Sequence, residues 1–238
     1  MSSQWAFTIK IYVELLLGIA VNRMVVTVRL LAHAGFQIKA GNKIVYIDYE
    51  EHGKASEKAD LILVTHSHPD HCDPSKIKIV RKEGTIIIAP ADCASKIGGN
   101  VKTLKPGEET TVDGVMVKAV DAYNYKRFRS PGNPFHPKGF GVGYLITVEG
   151  KTVYHAGDTD FIPEMRQVGR VDVALLPTGD TYTMDNAEAA LAAVAINPRT
   201  VIPMHRWNTN SEEFKKKVEA NSKVNVLILR EGEEYRIP

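Results

Sequence analysis

The chain has 238 residues, 44% of them hydrophobic, enough for a substantial core in one large domain or two small ones. Charged residues make up 24% and the net charge is +2, an ordinary soluble balance. That balance excludes a nucleic-acid binder that relies on bulk positive charge, and the two cysteines, Cys72 and Cys93, read as reduced thiols of a cytoplasmic protein rather than as a staple.

Residues 11–21 form an apolar run interrupted by Glu14. It is shorter than the roughly 20 residues a bilayer crossing needs, and it lacks the flanks of a signal peptide. It is either an added helix or strand that packs on the domain, or an upstream extension outside the native protein. The regular pattern starts at Val25, which favours the second reading: an extension over 1–23 and a domain over 24–238, beginning at Met24.

From there, short runs rich in β-branched residues predict strands over 25–31, 36–39, 43–47, 61–64, 85–89, 115–120, 142–148, 152–155, 171–176, 200–203 and 226–229. Gly41-Asn42, Asp113-Gly114 and Glu149-Gly150 are predicted hairpin turns. Asp73-Pro74 caps and opens a helix to Lys82. Asp185-Asn186-Ala187-Glu188 has a capping-box pattern and opens an Ala-rich helix to Ile196, which Asn197-Pro198 ends. A third helix spans 211–220 with Ser211 as its cap. Strands come in pairs early and alternate with helices late, which predicts an α/β protein with mixed sheets and outer helices.

The strand at 61–64 runs into Thr65-His66-Ser67-His68-Pro69-Asp70-His71. Three of the chain's eight histidines fall in this loop. Imidazole and carboxylate suit borderline-soft divalent metals. His66 and His68 can serve one ion, while Asp70 and His71 point to a second.

This segment resembles the H-x-H-x-D-H signature of the metallo-β-lactamase superfamily. Tyr154-His155-Ala156-Gly157-Asp158-Thr159 resembles that family's Gly-Asp-Thr strand end, and Pro203-Met204-His205 resembles its late strand-end histidine. Ala32-His33-Ala34-Gly35-Phe36 with the strand to Asp48 resembles the opening hairpin of one branch, which includes L-ascorbate-6-phosphate lactonase and N-acyl-phosphatidylethanolamine phospholipase D. The resemblance covers about residues 25–238. It implies a four-layer αββα sandwich of two mixed β-sheets with helices on the outer faces.

The resemblance also implies metal ligands at His66, His68, Asp70, His71, Asp158 and His205, with Asp158 bridging two ions. The family has one further histidine, at a strand end. The matching stretch here, Asp121-Ala122-Tyr123-Asn124, has none, and His136 is the only histidine between His71 and His155. His136 is therefore assigned as the third ligand of the first ion; the alternative is an incomplete site with water in that place. His155 is expected to pack or hydrogen-bond, and His52 to lie at the surface.

Two divalent ions, Zn2+ first with Mn2+ or Fe2+ as alternatives, would supply hydroxide at neutral pH and polarise a carbonyl or phosphoryl oxygen. Asp70 would also handle the nucleophile's proton. His33, Arg127, Arg129 and Lys138 are candidate substrate contacts, the basic ones suited to a phosphate or carboxylate. Asp180, Thr181 and Tyr182 can line the same cleft. The expected activity is hydrolysis of a small, anionic ester, lactone or phosphodiester, with no nucleic-acid or membrane partner and with a homo-oligomer open. An RNA-processing nuclease and a non-catalytic metal-binding protein of the same fold are the alternatives. Ribonuclease Z-type sequences continue the first motif with Gly-Leu-Pro, whereas this chain has Cys72-Asp73-Pro74.

Overall fold

Alternation of side chains along short β-branched runs, broken by glycine turns, shapes the backbone. A computed structural model describes residues 24–51 and 57–238. The expectations for residues 1–23 and His52 lie outside the described residues.

The chain begins with β1 (Val26–Ala32), β2 (Gly35–Ala40), β3 (Lys43–Ile47) and β4 (Leu61–Leu63). Next come α1 (Pro74–Val80), β5 (Ile86–Ile88), α2 (Ala91–Ile97) and β6 (Val101–Lys102). The middle holds β7 (Glu109–Val112), β8 (Val115–Ala122), β9 (Phe128–Ser130), β10 (Asn133–Pro134), β11 (Gly141–Val148) and β12 (Lys151–His155). A 3-10 turn (Pro163–Gln167) precedes β13 (Val173–Pro177), α3 (Asn186–Ile196), β14 (Thr200–Met204), α4 (Ser211–Glu219), β15 (Asn225–Val226) and β16 (Glu234–Arg236).

Two seven-stranded sheets result, in the orders β16-β1-β2-β3-β4-β5-β6 and β15-β14-β13-β12-β11-β8-β7. Each is antiparallel in one part and parallel in the other: β3 to β6 run parallel in the first sheet, β12 to β15 in the second. The antiparallel parts close on the three predicted turns. Asp113 and Gly114 have φ of 48° and 82°, and Glu149 and Gly150 have 51° and 70°, the positive-φ pair that matches strand twist.

The strand period of two sorts the core into layers. Val153, Val173, Leu175, Ile202 and Met204 face the other sheet, where they meet Val28, Phe36, Ile38, Ile47 and Leu63. Their neighbours Tyr154, Ala174, Leu176 and Val201 face outward and pack with residues of α3 and α4 such as Ala189, Ala193 and Phe214. On the first sheet, Tyr46, Ile62, Val64 and Ile87 face outward to Ile77 and Val80 of α1 and Cys93 of α2. The order is helices, sheet, sheet, helices, as the four-layer expectation states. Among the described residues, no helix is long and apolar enough to cross a membrane.

Several local readings change. The short strands β6, β7, β9, β10 and β16, and helix α2, were not anticipated from pattern. Asn210, not Ser211, caps α4, because its carboxamide oxygen accepts from the Glu212 amide at 3.0 Å. Asp185 does cap α3, but Glu188 does not reciprocate; it accepts from Arg127, Lys126 and the Phe161 amide.

Candidate metal centre

The loop after β4 is held by a buried carboxylate. Asp48, just past β3 in a left-handed conformation (φ 45°), accepts from the Thr65 amide at 2.7 Å and the Thr65 hydroxyl at 2.6 Å. The same carboxylate pairs with His71 Nδ1 at 2.7 Å. The Thr65 hydroxyl, having donated to Asp48, accepts from His66 Nδ1 at 3.0 Å. Both rings thereby turn Nε2 toward the cleft. A hydrogen bond on one imidazole nitrogen fixes which nitrogen offers its lone pair.

His136 arrives from the loop after β10 and is oriented the same way. The carboxamide oxygen of Asn124 accepts from His136 Nδ1 at 2.7 Å and from its amide at 3.0 Å. Asn124 Nδ2 donates to Asp160 at 3.0 Å and to the Tyr182 carbonyl at 3.1 Å. Asp160, fully buried, also accepts from the amides of Tyr125 and Lys126. So the asparagine at the position of the missing histidine holds the one that comes from the loop. His136 Nε2 lies 3.2 Å from His68 Nδ1, which lies 3.0 Å from His66 Nε2. Three ring nitrogens converge on one point.

A second group gathers His33, Asp70, His71 and His205. Asp70 Oδ2 lies 3.4 Å from His33 Nε2 and 3.6 Å from His71 Nε2. His205 follows β14 at φ 47°, and its ring lies 3.9 Å from that of His33. Gly179 makes this approach possible, since a Cβ there would run into the His205 carbonyl and sit 2.7 Å from Trp207 Cδ1. Asp158 stands between the groups. One oxygen is 3.6 Å from His71 Nε2, and the other is 3.0 Å from His205 Nε2 and 3.4 Å from His136 Nε2. Gly157 (φ 65°) sets that turn, where a Cβ would meet the Val142 carbonyl at 2.8 Å.

Charge and burial agree with cation binding. Burial, reinforced by nearby His71, holds His66 well below the ordinary imidazole value; burial also lowers His136 to about 4, so both offer neutral lone pairs. Burial opposes a charge on His71, but Asp158 and Asp48 outweigh it and push His71 up to about 10. Burial would raise Asp158, yet His205 and His71 hold it well below the carboxylate range. His71 Nε2, Asp158 Oδ1 and His33 Nε2 are buried with no hydrogen-bond partner. Unpartnered buried groups are costly, and convergent ones with a nitrogen and oxygen donor set fit a divalent cation between them. The ligand atoms of each group lie within 4.8 Å of one another.

The structure thus brings His66, His68, Asp70, His71, His136, Asp158, His205 and also His33 to one cleft. Arg129 lines it too. Arg127 and Lys138, expected as substrate contacts, are not among its lining residues. Arg127 donates to Asp160 at 2.8 Å and Glu188 at 2.6 Å, and Lys138 donates to Glu164 at 2.8 Å. Asp160 and Glu188 are buried carboxylates that need a cation, and Arg127 is taken by them. His155 hydrogen-bonds the Ala34 carbonyl at 2.9 Å, as expected. Nothing in the sequence marks Asp48, Phe135 or Trp207 as part of the site; the missing histidine at Asn124 signals only that a ligand comes from another segment.

The pattern of the family described as Beta-lactamase superfamily domain matches residues 27–205. A UPF0173 metal-dependent hydrolase of Thermococcus kodakarensis is 38% identical over 232 residues, 89% of this chain and 100% of the relative. A crystal structure of a Parabacteroides distasonis protein superposes with a TM-score of 0.80 at 34% identity, covering 87% of this chain and 94% of that one. Igni18, a metallo hydrolase from the archaeon Ignicoccus hospitalis, superposes with a TM-score of 0.72 at 27% identity, covering 90% and 99%.

Proposed function

The chain belongs to the Beta-lactamase superfamily domain family and, within it, to the UPF0173 metal-dependent hydrolases, and from that premise we propose that it cleaves a small anionic ester, lactone or phosphodiester with two divalent ions, Zn2+ foremost. The observation that carries the reading is the position of Asp158: one carboxylate oxygen lies 3.4 Å from His136 Nε2 of the first donor group and 3.0 Å from His205 Nε2 of the second, while the other lies 3.6 Å from His71 Nε2. His66, His68 and His136 would hold one ion; Asp70, His71 and His205 would hold the other. Metal held by these residues would supply a water of lowered pKa and a Lewis acid for the oxygen of the electrophile.

The chain's own residues do the rest. Asp48, Thr65 and Asn124 fix the imidazoles, so no reorientation is needed on loading. Asp70, with 40% of its side chain exposed, faces the cleft. Burial opposes its charge, but His33 and His71 keep it ionised. It is placed to accept the proton that the attacking water loses. A cleft of about 420 Å³ suits a small molecule.

Metal content and turnover of a lactone and phosphodiester panel test the proposal together. His66→Ala and Asp158→Asn should each lose metal and lower turnover by more than the roughly 10–100-fold that removal of an outer support costs. Protein that purifies without tightly bound metal, and that His66→Ala leaves unaltered, would sink it.

A further inference from the structure

One wall of the cleft is aromatic and is not used in holding a metal. Trp207 sits two residues past His205 at φ 45°, a conformation that bulky residues rarely adopt. Its ring lies 5.0 Å from that of His33 and 5.7 Å from that of His205. Yet 58% of the residue is exposed. Tyr182 stands 6.3 Å further along, and Phe135 meets Tyr182 edge-on at 4.8 Å. The row ends at Arg129, whose guanidinium lies 5.7 Å over the Phe135 ring. Unlike Arg127 and Lys138, Arg129 makes no ion pair with a carboxylate among the described residues. Backbone strain that presents an exposed ring beside reactive groups points to a binding role.

We propose that this wall selects the substrate: the cleft takes a small oxyanion that carries a planar ring, with the ring against Tyr182 and Trp207 and the anionic group on Arg129. The inference rests on this cleft being the substrate site of the proposed hydrolase. Ring faces and edges attract through their quadrupoles, and two or three rings can together supply about tenfold in affinity. A guanidinium pairs with phosphoryl and carboxylate oxygens alike, so either anion satisfies the arrangement. The same cleft is lined by His68, Asp70, His136, Asp158 and His205, which leaves the scissile bond next to the metal donors when the ring lies on the wall.

The test is calorimetric titration with phenylphosphonate and methylphosphonate, whose P–C bonds resist hydrolysis. It is run on metal-loaded and on metal-stripped protein. Phenylphosphonate should bind about tenfold more tightly in both forms. Tyr182→Ala and Trp207→Ala should each bring the ratio to within about threefold, and Trp207→Phe should retain it. Arg129→Ala should weaken both ligands about equally. A ratio near one in the wild-type protein, or a ratio that survives both alanine changes, overturns the inference. Metal content and panel turnover are read separately. Hydrolysis with no ring preference defeats this inference alone; ring preference without metal or turnover defeats the hydrolase reading and leaves a binding cleft of the stated chemistry.

Discussion

An imidazole has two nitrogens, and a metal site works only when the right one is free. In this protein the choice is made by neighbours outside the donor set: Asp48 for His71, Thr65 for His66, Asn124 for His136. Asn124→Ala removes the acceptor for His136 Nδ1 and leaves the ring free to rotate. Metal affinity, measured by competition with a chelator, should fall by about 10–100-fold while the fold persists. An unaltered affinity would show that packing alone orients the ring. The donors themselves were legible in the sequence because their chemistry is written in residue type and close spacing. Asp48 and Asn124 were not legible as supports. Asp48 is 23 residues and Asn124 12 residues from the ring it holds, beyond the reach of local pattern, and aspartate or asparagine at a strand end is ordinarily a turn residue.

Elements with strong periodicity or turn chemistry were the readable ones. The run at Val173–Pro177 is β-branched or aliphatic and buried on both faces, and Asp113-Gly114 and Glu149-Gly150 turn as their residue types require. The strand β9 escaped notice because Phe128, Arg129 and Ser130 are all exposed, so no alternation marks it. It exists through its pairing with β10 and carries Arg129 to the cleft. Gly179 shows how an element end can depend on one small residue. Gly179→Ala forces the segment after β13 away from His205 and Trp207. Stability should drop by about 1–3 kcal/mol, read from denaturant unfolding, with loss of the second donor group's metal. Equal stability and equal metal content would show that the loop yields without effect.

At the scale of the molecule, the two sheets share one plan, antiparallel on one side and parallel on the other, and the donors sit where parallel strands of both sheets end. His66 follows β4 of the first sheet; Asp158 and His205 follow β12 and β14 of the second. Metal bound by these donors would therefore fasten the sheets to each other as well as serve the chemistry proposed above. Metal present at a hundred times its Kd should add about 2.7 kcal/mol to stability, and a chelator should lower Tm correspondingly. A Tm indifferent to chelation would mean that the donors are held wholly by the apolar core. The span of the donors along the chain, His33 to His205, has a consequence for biosynthesis. Chains emerge from the N-terminus, so the trio His66, His68 and His136 is made well before His205. A nascent chain can offer the first group of ligands while β14 is still unmade. A clamp between sheets could not close until β14 and His205 have been made, so the second donor group would be completed well after the first.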